Sequence, residues 1–133
     1  MPLTVDVVSP ERVLYTGEAD MLVCRTTDGE IAFLPGHAPF LGALGIGVVR
    51  SLLPERGEQA VAVHGGFVEV SNDRVIVLSD VAELAEQIDV DRARRAKARA
   101  EERLAADPED EEAQAALLRA DTRLEVAGAV ERA

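Results

Sequence analysis

Val68-Glu69-Val70-Ser71-Asn72-Asp73-Arg74-Val75-Ile76-Val77 sets two valine-rich alternating runs on either side of an Asn-Asp pair. Asn and Asp tolerate the positive φ that a tight turn demands, so the stretch predicts a β-hairpin. Working backwards, period-two alternation recurs in Gln59-Ala60-Val61-Ala62-Val63-His64 and in Leu3-Thr4-Val5-Asp6-Val7, the pattern that turns one strand face to a core. Met21-Leu22-Val23-Cys24 and Val75-Ile76-Val77-Leu78 are unbroken apolar runs, expected as strands covered on both sides. Thr16-Gly17, Asp28-Gly29, Pro35-Gly36 and Gly65-Gly66 read as turns, and so does Gly42-Ala43-Leu44-Gly45-Ile46-Gly47. Many short strands with no helix among them predict a small antiparallel β-sandwich or barrel over residues 1–84.

Beyond the hairpin the grammar changes. From about Glu86 glycine is absent until Gly128, and Ala, Glu, Arg and Leu dominate, the strongest helix formers. Asp89 or Asp91 can cap a first helix, in which Ala93, Ala96, Ala100 and Leu104 form one apolar seam. Asp107 is expected to cap a second helix with Pro108 at its first position. There Ala113, Leu117, Ala120, Leu124 and Ala127 supply the facing seam. Residues 85–133 thus predict an antiparallel two-helix hairpin. Its seams hold three large side chains, Leu104, Leu117 and Leu124, each worth about 1.5–3 kcal/mol when fully buried. A hairpin held so thinly can leave its docking site without unfolding the β domain.

Hydrophobic residues make up 47 % of the 133, so a packed core is expected, but aromatics are only 3 % and Trp is absent. Val, Leu, Ile and Ala must therefore build it. The net charge of −11 repels phosphate backbones and anionic lipid, which argues against nucleic-acid binding. Cys24 stands alone and is expected as a buried small hydrophobe. With two His and no paired Cys, no metal centre is expected. Met1-Pro2-Leu3-Thr4-Val5-Asp6 carries no basic segment leading into an apolar one, and no apolar run approaches a membrane span, so the expectation is a cytoplasmic protein.

Ser9, Ser51, Ser71 and Ser79 have no adjacent base in a catalytic spacing, and no G-x-S-x-G occurs, so no catalytic residue is assigned and the chain is expected not to be an enzyme. Two other features stand out. Pro35-Gly36-His37-Ala38-Pro39 is a loop whose prolines preset φ and remove donors, suited to a fixed shape presented to a partner. Arg92, Arg95, Arg99 and Arg103 recur at helical spacing, inside a segment with six basic residues against Glu101 and Glu102, a local +4. Arg119 and Arg123 add a pair on the second helix. Such a stripe suits phosphates or carboxylates, which guanidinium groups grip in bidentate fashion.

Three segments resemble one family. Gly29-Glu30-Ile31-Ala32-Phe33-Leu34-Pro35-Gly36-His37-Ala38-Pro39-Phe40-Leu41 is similar to the signature of bacterial F-type ATP synthase epsilon subunits, G-E-x-G-x-x-P-G-H-A-P-L-L. Gly65-Gly66-Phe67-Val68-Glu69-Val70 with Val75 to Asp80 resembles the family's G-G-F-x-E-V…V-T-I-L-A-D, and Ile88-Asp89-Val90-Asp91-Arg92-Ala93 its I/L-D-x-x-R-A. Ala32, Phe40 and Ser79 depart from the pattern. The resemblance implies a sandwich of about ten strands followed by a helical hairpin, in a non-catalytic subunit of the rotor stalk. It further implies a place on the cytoplasmic face of the cell membrane, peripheral, with the gamma subunit and the c-ring as partners. By the same resemblance Glu30, Pro35, Gly36, His37, Ala38 and Pro39 are expected at the ring. Glu83, Ile88, Asp89, Arg92, Ala93, Arg99, Arg119 and Arg123 match positions that hold regulatory ATP, with no cofactor required. When the tail extends and inhibits hydrolysis, Arg92, Arg95, Arg99 and Arg103 are expected against the alpha and beta subunits.

Overall fold

The computed structural model describes residues 2–55 and 57–128; the last part of the expected tail, residues 129–133, lies outside them. Eight strands come first: β1 (Leu3–Val8), β2 (Val13–Ala19), β3 (Met21–Thr26), β4 (Gly29–Phe33), β5 (Phe40–Leu52), β6 (Glu58–Ser71), β7 (Arg74–Leu78) and β8 (Ala82–Leu84). A 3-10 turn (Ala85–Gln87) leads to helices α1 (Val90–Ala106) and α2 (Glu111–Val126).

β5 and β6 organise the sandwich. They pair antiparallel along their length, from Phe40 opposite Val70 to Leu52 opposite Glu58. The start of β5 and the end of β6 continue into β7, β1 and β2, while their other halves continue into β8, β3 and β4. One hydrogen-bonded sheet therefore folds over itself around Leu3, Val5, Leu22, Phe33, Val49, Val61, Val68 and Val75, all essentially fully buried. The fold occurs where Gly65 and Gly66 take φ of 91° and 124°, which L side chains rarely adopt. A Cβ on Gly66 would also collide with the Leu78 carbonyl oxygen.

That bend corrects the strand count. About ten were expected and eight are found among the described residues, because Gly65-Gly66 and the Gly42 to Gly47 stretch are not turns. They lie inside β6 and β5, each of which runs unbroken through both layers. The sheet is not wholly antiparallel either, since β1 lies parallel to β7. Nor are the two apolar runs covered on both sides. Leu22, Cys24, Val75 and Val77 are buried, but Met21, Val23 and Ile76 are half-buried and Leu78 is exposed. Asn72 and Asp73 form the β6–β7 turn at φ of 52° and 61°, as their chemistry predicts.

The hairpin folds down on the outer face of β5 and β6, with α2 against the strands and α1 stacked on α2. Ala62, on the face opposite core residues Val61 and Val63, is fully covered on the side where α2 lies. Asp89 caps α1, accepting from the Arg92 amide at 3.0 Å. The cap of α2 is Asp110, which accepts from Ala113 at 3.0 Å, and not Asp107. Asp107 ends α1 and accepts from the Glu109 amide at 3.1 Å, so Pro108 belongs to the connector. Ala93, Ala100, Ala113, Ala120 and Leu124 are buried as expected. Leu104, Leu117 and Ala127 are only half-buried, which leaves the seam thinner than the spacing implied. Thr122 and Val126 are buried as well, the Thr122 hydroxyl donating to the Leu118 carbonyl at 2.7 Å.

Candidate functional site

Between β4 and β5, Leu34-Pro35-Gly36-His37 closes a turn, the His37 amide donating to the Leu34 carbonyl at 3.1 Å. Proline presets the second position and Gly36, at φ 87°, takes the left-handed third position of a type II turn. Gly36's own amide donates to Asp73 Oδ1 at 2.6 Å, which ties the loop to the β6–β7 turn. His37 Nδ1 lies 2.7 Å from the Ala38 carbonyl. A carbonyl can only accept, so Nδ1 is the donor in this contact. The imidazole meets Phe33 edge-on, with centroids 4.9 Å apart, and Phe40 at 6.5 Å. Ala38 and Pro39 are exposed beside it. Pro35 to Pro39 thus form one built feature, whereas Glu30 stands roughly 10 Å back along β4 from Phe33 on the other strand face. Its charge, after burial, helps push the Cys24 thiol up to about 11, which keeps that buried thiol inert.

A second feature lies along the two helices and reaches β8 at Glu83: a cleft of about 490 Å³ lined by Arg92, Arg99, Arg103, Arg119 and Arg123, with Glu83 and Asp89 as its acids. Ala93, Ala96, Ala100 and Ala116 supply the small side chains that leave it open. Arg95 is exposed and does not line it, because it sits roughly 60° around the helix from Arg92, away from the alanines. Ile88, half-buried at the end of the 3-10 turn, is not part of the lining either. Arg123 Nε donates to Glu83 Oε1 at 2.7 Å, Arg119 pairs with Glu112 at 2.9 Å, and Arg103 with Asp110 at 3.0 Å. Arg92 and Arg99 form no salt bridge among the described residues. Asp91 pairs with Arg94, at 4.0 Å.

Beneath the hairpin, His64 is 5 % exposed at its side chain and puts Nε2 3.2 Å from Glu83 Oε1. Its Nδ1 is buried without a partner. Burial first, and then the Arg123 charge, hold its pKa below 6.5; Glu83 opposes them and Arg119 adds to them. Arg50 on β5 bridges Glu58 and the α2 carboxylate Glu125. The hairpin is therefore held on both flanks of α2, by Arg123 to Glu83 and by Glu125 to Arg50. His64 reads in sequence as an ordinary strand residue; its charged neighbours come from β8 and α2, brought beside it by the fold.

On the outer face of the other layer, register aligns Val13, Val8, Leu78, Phe67 and Ala43 in one row across five strands. Val13 is 58 % exposed, Phe67 56 %, and Leu41, two residues from Ala43, 71 %. Contiguous exposed apolar surface of this kind marks an interface. The valine- and leucine-rich ends of these strands were the available signal, but sequence alone does not reveal which face another layer covers.

Comparison with known proteins gives a consistent picture. The ATP synthase delta/epsilon chain β-sandwich domain matches residues 2–85, and the long α-helix domain of the same chains matches residues 86–128. An ATP synthase epsilon chain of Thermobifida fusca is 47 % identical over 134 residues, covering 98 % of this chain and 96 % of the relative. One from Moorella thermoacetica is 44 % identical, covering 96 % of this chain and 98 % of the relative. A chain in the cryo-EM structure of the Euglena gracilis mitochondrial ATP synthase, OSCP/F1/c-ring, shares the fold with a TM-score of 0.69 at 19 % identity, covering 98 % of this chain and 80 % of that one.

Proposed function

The chain belongs to the ATP synthase delta/epsilon chain family, as an epsilon subunit of the F-type enzyme's central stalk, and from that premise we propose that it couples c-ring rotation to the catalytic head while its hairpin restrains ATP hydrolysis. In this reading the Pro35–Pro39 loop and Glu30 meet the c-ring, and the apolar row from Val13 to Ala43 packs on the gamma subunit. The subunit is non-catalytic and reaches the cytoplasmic membrane face only through the complex.

The observation that carries the inhibitory part is how the hairpin is attached. α2 alone of the two helices packs extensively on the strands, and two ion pairs, Arg123 to Glu83 and Glu125 to Arg50, tie it there. Partly exposed ion pairs contribute only about 0–1 kcal/mol each, so docking and release lie within reach of a partner's binding energy. Once released, Arg92, Arg95, Arg99 and Arg103 are available to acidic surface on the alpha and beta subunits. The test compares hydrolysis at low ATP by complexes carrying the full-length subunit or one ending at Glu86. The truncated form should hydrolyse faster; equal rates would remove the inhibitory role and leave coupling.

A second reading, regulatory ATP binding, is favoured by the arginine cleft. Five arginines against two acids make a net +3 in a chain of −11. Arg92 and Arg99 are the cations best placed to take a triphosphate. Because both helices line the cleft, a ligand there stabilises the folded-down hairpin over the released one. Titration calorimetry on the full-length subunit should show saturable ATP binding that weakens in Arg92→Ala and Arg123→Ala. No heat at millimolar ATP would return these arginines to the partner interface.

A further inference from the structure

We propose that Asp73 is the positioning residue of the Pro35–Pro39 loop, holding it in its partner-ready shape from the neighbouring hairpin turn. The inference rests on the reading of that loop as the ring contact and adds the residue through which its shape is kept.

The geometry makes the need plain. A type II turn satisfies the amide of its fourth residue, here His37 to the Leu34 carbonyl, and leaves the amide of its third residue pointing outward. That third residue is Gly36, and Asp73 Oδ1 accepts its amide at 2.6 Å from 37 positions along the chain. A carboxylate acceptor makes the bond charge-assisted and short. Asp73 is itself fixed at three points. Its φ of 61° belongs to the two-residue turn between β6 and β7, and its carbonyl accepts the Thr4 amide of β1 at 2.8 Å. β6 and β7 flank it with a continuous ladder that ends at Ser71 opposite Arg74. The loop is thus tethered to the turn of the β6–β7 hairpin. Nothing in the loop's own sequence supplies this acceptor.

Two substitutions separate the side chain from the turn. Asp73→Gly keeps the positive φ and removes the acceptor. Asp73→Asn keeps both, since the amide oxygen can accept and Asn tolerates the left-handed region. The Gly36 amide would be followed by hydrogen exchange in the full-length subunit, together with thermal unfolding. The ratio of ATP-driven ion pumping to ATP hydrolysis would be measured in reconstituted complex, beside the Glu30→Ala, His37→Ala double variant. In Asp73→Gly, Gly36 should exchange about tenfold faster with the melting temperature nearly unchanged. Its pumping ratio should fall towards that of the double variant, and Asp73→Asn should restore both. Unchanged exchange at Gly36 would overturn the anchor. Faster exchange with normal pumping, while the double variant pumps poorly, would overturn the positioning role alone. Normal pumping in Asp73→Gly and in the double variant would show that the loop is not the ring contact, and the inference would fall with that reading.

Discussion

His64 sits where a proton would be costly. Three charged groups face it from two elements, Glu83 from β8 and Arg119 and Arg123 from α2, and its Nδ1 has no partner. With the hairpin docked, the imidazole resists protonation; with the hairpin released it returns towards 6.5. The released state therefore takes up the proton first, and docking is fully favoured above 6.5 and weakens as pH falls below it. Hydrogen exchange in α2, measured on either side of pH 6.5, should show faster opening on the acid side. His64→Gln should flatten that dependence while leaving the β domain's exchange unchanged. A dependence that survives in His64→Gln would assign it to the carboxylates. At this scale the sequence was legible where a residue's own backbone chemistry decides: Asn72, Asp73 and Asp89 do what their side chains predict. It was silent on His64 and on the tether of Asp73, because both depend on groups brought together from distant parts of the chain.

Elements were read well in type and less well in extent. Helix spacing identified the facing alanines, since burial of one helical face follows from period alone. It could not say which cap wins among Asp107, Asp110 and their acidic neighbours, because the connector's geometry decides that. Nor could it distinguish a glycine that ends a strand from one that bends it. The seam itself makes a sharp distinction between two alanines. Ala113 is fully buried, so Ala113→Leu should overpack the helix pair and cost about 1–3 kcal/mol. Ala96 is half-buried and lines the cleft, so Ala96→Leu should fill that cavity with little loss of helix. Thermal unfolding followed by helical circular dichroism, alongside ATP titration, separates them. The first variant should lower the hairpin's transition, whereas the second should leave it and abolish any nucleotide binding. Equal melting of the two would contradict the packing described for α1 and α2.

At the scale of the molecule, the sandwich keeps its core to itself. The buried cluster is drawn from β1 to β7, and among the described residues the hairpin contributes none to it. A chain ending at Glu86 should accordingly give a cooperative thermal transition with its β signal intact; an unfolded product would refute the two-part architecture. The same ladder carries both candidate features. β5 and β6 carry the Pro35–Pro39 loop near one end of their ladder and the α2 platform on the other half, ten residues further along β5 at Arg50. Two covalent chains, cross-tied by hydrogen bonds, run between them. The ladder bends at the Gly65-Gly66 corner, and β3 pairs with β5 on either side of a register shift, Met21 to Val23 opposite Leu52 to Arg50 and Thr26 opposite Leu44. Under the coupling role proposed above, a torque delivered to the loop would travel along this ladder to the seat of α2, so that twist in the shaft and the hold on the tail would become a single mechanical quantity.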